Sequence, residues 1–150
     1  FNFVSYKVLR FNLNSVKTFE LISNNDQLGP WAFNILIAHP AYSKKNQTYA
    51  CGIVFSGKLT VPGVNGGPPV DIITFESEIA GTFKVAGQFE KSIEDNLVKI
   101  QGPALLMPYL RGTITTYFAN AGFGSIKIPL INIHNVARDA VGSTEILIID

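Results

Sequence analysis

The stretch "LLMPYLRGTITTYFANAGFGSIKIPLIN", residues 105–132, decides the fold. It opens like the first turn of a helix, crosses four consecutive β-branched residues at Thr113–Thr116, and ends in a Gly-rich bend and an Ile run broken by Pro129. On a helical wheel Leu106, Leu110, Ile114, Tyr117 and Ala121 form one continuous apolar stripe, with Met107, Arg111 and Phe118 on an adjoining face. Pro108 suits a first helical turn, where its missing N–H is no loss. Gly122 is placed as a C-terminal cap. Against the helix stand Gly112, Thr113, Thr115 and Thr116, each costing on the order of 0.5–1 kcal/mol relative to Ala. Such a helix is poor alone and forms only when tertiary or quaternary contacts bury its apolar faces. The expected layout is a long helix at about 105–121, a connecting loop at 122–131, and a short helix at about 132–141 stopped by Gly142-Ser143.

Upstream the signal is extended. Tyr49, Cys51, Ile53, Phe55, Leu59 and Val61 sit at period two, with Ala50, Gly52, Ser56, Lys58 and Thr60 opposite. That is a half-buried antiparallel strand. Val70–Val85 is also strand-like, with Gly81 read as a bulge. Ala32–Ala38 is a short dense strand, and Val16–Ile22 another. Phe1–Leu13 alternates loosely: Val4, Tyr6 and Val8 share one face, while Phe1, Phe3, Leu9, Phe11 and Leu13 fall largely on the other, as in a strand buried on both sides. Asn24-Asn25-Asp26, Gly29-Pro30 and the Gly/Pro-rich Pro62–Pro69 are turn chemistry. Gln88–Leu97 reads as a turn with a short helix, and Gly102-Pro103 precedes the long helix. The pattern leaves the type of the apolar segment Glu145–Ile149 open. Strands over about 1–87 followed by helices give one α+β domain spanning 1–150, with the helices on one face of an antiparallel sheet.

Composition narrows the function. Lys and Arg total 12 against 11 Asp and Glu, with no basic block, so the excess of positive charge that nucleic-acid binding requires is missing. The longest dense apolar run, Ile35–Ala38, is far short of the ~20 residues of a membrane span. The chain opens at Phe1 rather than Met, as one trimmed of a leader would. The single Cys51 can form no internal disulfide, which favours a reducing compartment, the cytoplasm; a secreted domain without disulfides is the alternative. Only 15% of residues are charged, against about 25% in typical soluble domains. A well-packed β domain with an Asn/Ser/Thr surface would explain this; so would large apolar interfaces to other copies or to clients.

Motifs for chemistry are absent. His39 and His134 lie far apart in sequence and share no metal-ligand spacing with Cys51. "NGGPP" at 65–69 lacks the Lys-Ser/Thr of a phosphate loop. Glu76 and Glu78 share a strand face, roughly 6–7 Å apart by strand rise; an exposed strand face accounts for them better than a catalytic pair. The sequence thus carries no enzyme signature and no metal-ligand spacing, although active sites also assemble from distant segments.

Residues 75–135 carry a resemblance. Pro108, Tyr109, Arg111, Gly122, Phe123, Pro129 and Asn132 match a Phe-Pro-Tyr-Ala-Arg type helix start, a glycine–aromatic bend, and a Pro/Leu-rich loop ending in a Pro-x-Asn-type turn. "FESEIAGTFKVAG" at 75–87 supplies Glu76, Gly81, Phe83, Val85 and Gly87 of a strand of the type Cys-Glu-Val-x-x-x-Gly-x-Phe-x-Ile-x-Gly, and Trp31 falls where the family has a Trp. These segments resemble the SecB family of export chaperones. The resemblance implies a four-stranded antiparallel sheet, a long helix and a shorter C-terminal helix. It implies a homotetramer, a dimer of dimers, with Leu106, Leu110, Ile114 and Tyr117 at the oligomer interface. It implies ATP-independent holding of non-native polypeptides in apolar grooves, without catalysis and without a cofactor, with Trp31, Phe83, Phe123, Ile126 and Ile128 as lining residues. Ordinary core or oligomer contact competes with that role for each of them. Arg111 is expected to pair a carboxylate across helices. The partners implied are unfolded or precursor polypeptides, the SecA motor, or an antitoxin. The chain departs from the acidic export members in its near-neutral charge, and its tail "GSTEILIID" is not their longer helix and polar tail. An adaptor with one dedicated protein partner is the alternative on the same fold; an enzyme or small-ligand protein on an unrelated sheet is the third.

Overall fold

The computed structural model describes residues 2–15, 31–85, 87, 89–123 and 126–150. Phe1, the expected strand at Val16–Ile22, the turns at 24–30, and Gly124 lie outside the described residues. The elements in chain order are β1 (Asn2–Ser15), β2 (Trp31–Ile37), β3 (Ala41–Ser43), β4 (Thr48–Val61), β5 (Val70–Lys84), α1 (Lys91–Asn96), a π-helical turn (Leu97–Gln101), α2 (Gly102–Asn120), α3 (Ile133–Val141) and β6 (Leu147–Ile148).

The sheet has six strands, where four are expected. Its order is β1-β5-β4-β3-β6, with β2 also paired to β4. Two local causes raise the number. First, β2 and β3 lie end to end along the same edge of β4, antiparallel to it, from Trp31↔Leu59 through Ser43↔Thr48. Pro40, which has no N–H to give, sits in the break between them. Second, the tail adds β6 parallel to β3, through Leu147 N–H to Pro40 O at 3.0 Å and Ile149 N–H to Tyr42 O at 3.1 Å. The Asp150 carboxylate accepts from Ser43 Oγ at 2.8 Å, Lys44 N–H at 2.6 Å and Lys45 N–H at 3.3 Å.

The Ser43 hydroxyl first, and the Lys44 and Lys45 amides after it, hold the Asp150 carboxyl below the ordinary Asp value, against an opposing effect of burial. A depressed folded-state value means that the carboxylate secures the tail above the ordinary Asp range and releases it as pH falls through that lower value. We expect the Lys44 and Lys45 amide resonances to titrate with a midpoint below that of Asp150 in the unfolded peptide. An equal or higher midpoint would show that the carboxylate does not hold the tail.

One face of the sheet is the core. Cys51, Ile53, Phe55 and Leu59 of β4 and Ile73, Phe75, Ile79 and Phe83 of β5 are buried on it. Buried Ser77 sits among them because its Oγ donates to Phe55 O at 3.1 Å. β1 is a sheet edge: among the described residues it pairs only with β5. Its irregular alternation has a structural cause. Register shifts between Phe3/Ser5 and Val8/Arg10 leave Val4 and Leu9 as extra residues, both about half exposed. Each bulge flips the strand by one residue. Phe3, Tyr6, Val8, Phe11 and Leu13 are thereby opposite Phe83, Gly81, Ile79, Ser77 and Phe75, on the core side, rather than divided between two faces.

Gly81 is not a bulge. It is in register with Tyr6 and Cys51. A Cβ there would lie 2.5 Å from Leu106 Cδ2, and one at Gly102 would lie 2.5 Å from Cys51 Sγ. The two glycines are what let α2 lie close on the sheet. Burial raises the Cys51 thiol to about 12, and its S–H donates to Val98 O at 3.0 Å, so it is a packing residue held protonated.

Helical structure runs from Lys91 to Asn120 without a break, so Gly102-Pro103 falls in the first turn of α2 rather than before it. Pro108 is consequently inside the helix. Within the π turn Lys99 is buried and pairs Asp95 at 3.3 Å. The end of α2 closes as a Schellman motif: Gly122, at φ 85°, donates N–H to Ala119 O, and Phe123 donates N–H to Phe118 O. The Phe118 and Phe123 rings supply the accompanying apolar contact, with centroids 6.2 Å apart. Asn132 caps α3, its side chain accepting from Asn135 N–H at 3.2 Å.

Candidate functional site

Leu106, Leu110 and Ile114 are fully buried, and α2 packs on β4 and β5. Expected at an oligomer interface, these three side chains belong to the core of the chain itself and leave no surface for another copy. Phe118 continues their stripe inward at 1% exposure, while Tyr117, at 47%, turns out to stack on Phe11 at 4.2 Å. The opposite face of α2 is exposed at Leu105, Pro108, Tyr109, Gly112 and Thr116. Arg111 is the only charged residue in the helix. The Thr113 and Thr115 hydroxyls donate to Tyr109 O (2.9 Å) and Arg111 O (2.8 Å), so their polarity is spent within the helix. The exposed face of α2 therefore carries no charged side chain.

Trp31 is half-buried at the start of β2. It lies 5.8 Å from Phe75 and 5.7 Å from Phe118, both edge-on, and is stacked with Phe33 at 5.9 Å. Phe118 in turn contacts Phe75 at 5.2 Å and Phe123 at 6.2 Å. Trp31 and Phe123 are thus joined through Phe118. From Trp31 the strip runs on through Phe33, Ile35 and Ile37, half-buried on the same side of β2. α3 packs on β2, and Ile128 and Ile131 of the connecting loop pack on the same core.

Arg111 fixes the loop, in a way the sequence did not predict. Among the described residues it pairs with no carboxylate across helices. Its Nη1 donates to Ile128 O at 3.0 Å and its Nη2 to Pro129 O at 2.7 Å. A rigid fork bridging two successive carbonyls holds the loop against the helix at Ile128-Pro129 while Leu130 stands 97% exposed.

The five residues expected to line a groove therefore divide. Trp31 and Phe123 are half-buried and joined through Phe118, Ile128 is half-buried against the core, and Ile126, itself in the loop, is buried at 8%. Phe83 is fully buried under Phe3, 5.4 Å away, toward the far end of β5 from Phe75. Phe33 and Leu130 were missed. Phe33 carried a usable signal, the two-residue spacing of Trp31, Phe33, Ile35 and Ile37, which the dense apolar run obscures. Toward that far end, a cavity of about 670 Å³ is lined by Tyr42, Tyr49, Phe89 and Glu94 among others. There Tyr49 donates to Glu94, and burial first, then this bond, raises the Tyr49 hydroxyl above its ordinary value. Glu76 and Glu78 both pair Arg10, at 2.5 and 2.9 Å, on the exposed sheet face. No group of His, Cys, Asp and Glu among the described residues could hold a metal ion. No helix among the described residues is long and apolar enough to cross a membrane.

This arrangement matches a known structure, the SecB-like chaperone Rv1957 of Mycobacterium tuberculosis, solved in complex with a ChAD peptide from the HigA1 antitoxin. The overlap has a TM-score of 0.61 and covers 87% of this chain and 89% of that one, at 11% identity. The fold is SecB-like. A protein of unknown function from Streptococcus agalactiae overlaps at a TM-score of only 0.32, with 11% identity over 85% of this chain and 95% of that one, too little to carry an argument. No protein-family model and no curated protein matches the sequence. At 11% identity the SecB-like likeness is one of fold.

Proposed function

We propose that this SecB-like chain is a non-catalytic, ATP-independent holdase that keeps non-native polypeptides soluble by burying their apolar segments along β2. The observation that carries the reading is the strip Trp31-Phe33-Ile35-Ile37, half-buried beside a loop that Arg111 ties down at one point. Hydrophobic burial is non-directional, so such a strip accepts many sequences. Adjustable loop residues around one fixed anchor suit clients of different shape. In this reading the uncharged face of α2 is covered by other copies of the chain, as a homotetramer in the cytoplasm would cover it.

A dedicated partner is the second reading, and one finding favours it: the SecB-like chaperone of similar fold was solved with an antitoxin peptide. Service to a toxin–antitoxin pair suits this near-neutral chain better than docking on SecA, for which the acidic surface is missing.

Light scattering of three unrelated aggregating proteins, without nucleotide, separates these readings. A holdase delays all three at near-stoichiometric ratios. An Arg111→Ala variant, with its loop untied, should lose about 1–3 kcal/mol of loop anchoring and protect measurably less. Unchanged aggregation of all three proteins removes the general holdase reading. Protection of an antitoxin alone establishes the dedicated one.

A further inference from the structure

The tail is seated as a ligand would be. β6 pairs with β3 over two residues, Ala41↔Leu147 and Tyr42↔Ile148, and the ladder is flanked by bonds from the Leu147 amide to Pro40 O and from the Ile149 amide to Tyr42 O. Leu147, Ile148 and Ile149 are all more than half exposed, so the strand buries little apolar surface in taking its place. It is parallel to β3, and parallel pairing is slightly the weaker kind per residue. What fixes its register is the Asp150 carboxylate, received by Ser43 Oγ and by the Lys44 and Lys45 amides where the chain turns out of β3. An element with few buried contacts and solvent-exposed hydrogen bonds opens locally at low cost. Opening uncovers an unpaired edge at Pro40–Ser43 together with a ready-made carboxylate receptor. Extended peptides bind such edges through backbone hydrogen bonds, with a side-chain contact setting the register.

We propose that the outer edge of β3 is a second peptide-binding surface. It takes an extended segment of consecutive aliphatic residues followed by a carboxylate, and residues 147–150 occupy it as an internal placeholder. The surface is separate from the β2 strip, and the inference stands whether or not the chain is a holdase. Donor geometry supplies the specificity: one hydroxyl and two N–H groups converge on the carboxylate, and charge-assisted bonds of this kind are roughly twice as strong as neutral ones. The Lys44 ammonium group adds a positive field of the right sign.

The test uses a labelled, amidated peptide of the chain's own residues 143–150, STEILIID. Fluorescence anisotropy should show it binding a variant that ends at Thr144, and binding the full chain at least about tenfold more weakly, because there the placeholder must open first. The same peptide with its Asp changed to Asn should bind the shortened chain about tenfold more weakly. Absence of binding to a shortened chain whose circular dichroism and thermal unfolding match the full chain overturns the proposal. So does equal binding of the Asp and Asn peptides. If the shortened chain does not fold, hydrogen exchange on the full chain decides. Leu147 and Ile149 amides should exchange faster than those of central β4, and faster still in Asp150→Asn; protection equal to β4 makes the tail a permanent strand and ends the idea. None of these readouts depends on aggregation, so failure here leaves the holdase reading untouched.

Discussion

Phe118→Ala should lower the unfolding free energy by about 3–5 kcal/mol, the usual cost of removing a fully buried Phe from a core. Phe118 is 1% exposed and touches Trp31, Phe75 and Phe123, which come from β2, β5 and the connecting loop. These rings approach it mainly edge-on or tilted, geometries that add about 0.5–1.5 kcal/mol per pair beyond area burial. None can collapse freely into the space left behind. Trp31 is stacked on Phe33, Phe75 is held by β5, and Phe123 is pinned by its own amide to Phe118 O. Urea unfolding followed by circular dichroism should show the midpoint falling with the slope unchanged. Phe123→Ala, at a half-buried position, should cost only about 1–2 kcal/mol by the same area argument. A Phe118 loss no larger than that of Phe123 would mean that the strip is not organised around it. The functional corollary is sharper, since Phe118 joins the two halves of the proposed site: even a folded Phe118→Ala chain should hold clients poorly.

Local rules that the protein obeys were legible in the sequence. The long helix, its glycine cap at Gly122 and the Asn132 start of the next helix follow from spacing and capping chemistry, and the structure has all three. The alternation of β4 was readable because no bulge interrupts it between Thr48 and Leu59. What was hidden is what depends on tertiary placement. The bulges at Val4 and Leu9 make β1 look two-faced, because parity in sequence and parity in space differ by one after each extra residue. Pro40 splits an edge strand, and only the partner strand shows that the two pieces are collinear. The Arg111 partners are backbone carbonyls, which no side-chain pattern advertises. Glycines gave the most ambiguous signal. Gly81 and Gly112 look alike in sequence, yet one lies against Leu106 and the other has nothing within 4 Å. The same ambiguity affects the site. Phe83 and Trp31 are both aromatic residues of the resemblance, but only the depth of each in the fold separates a core ring from a surface one.

Gly112 also gives the strongest test of self-assembly, because a charge there pushes the isolated chain and its assembly in opposite directions. Gly112→Glu replaces a helix-weakening residue at an open position with a good helix former, which should stabilise the lone chain by roughly 0.5–1 kcal/mol. Arg111 is the only other charge in the helix, so the new carboxylate meets no like charge there. If Leu105, Pro108, Tyr109 and Thr116 are covered by a second copy, however, the same carboxylate is buried without a partner. That costs several kcal/mol, entered once for each subunit of a symmetric interface. Native mass spectrometry should therefore find the unaltered chain assembled at micromolar concentration and the Gly112→Glu chain dissociated. Unfolding of dilute samples, where both are single chains, should find the variant the more stable of the two. An assembly that survives the substitution places its interface elsewhere. A chain that is monomeric before any substitution rejects the tetramer outright. The uncharged face of α2 would then have to be explained by contact with clients, which predicts that Gly112→Glu weakens holding instead.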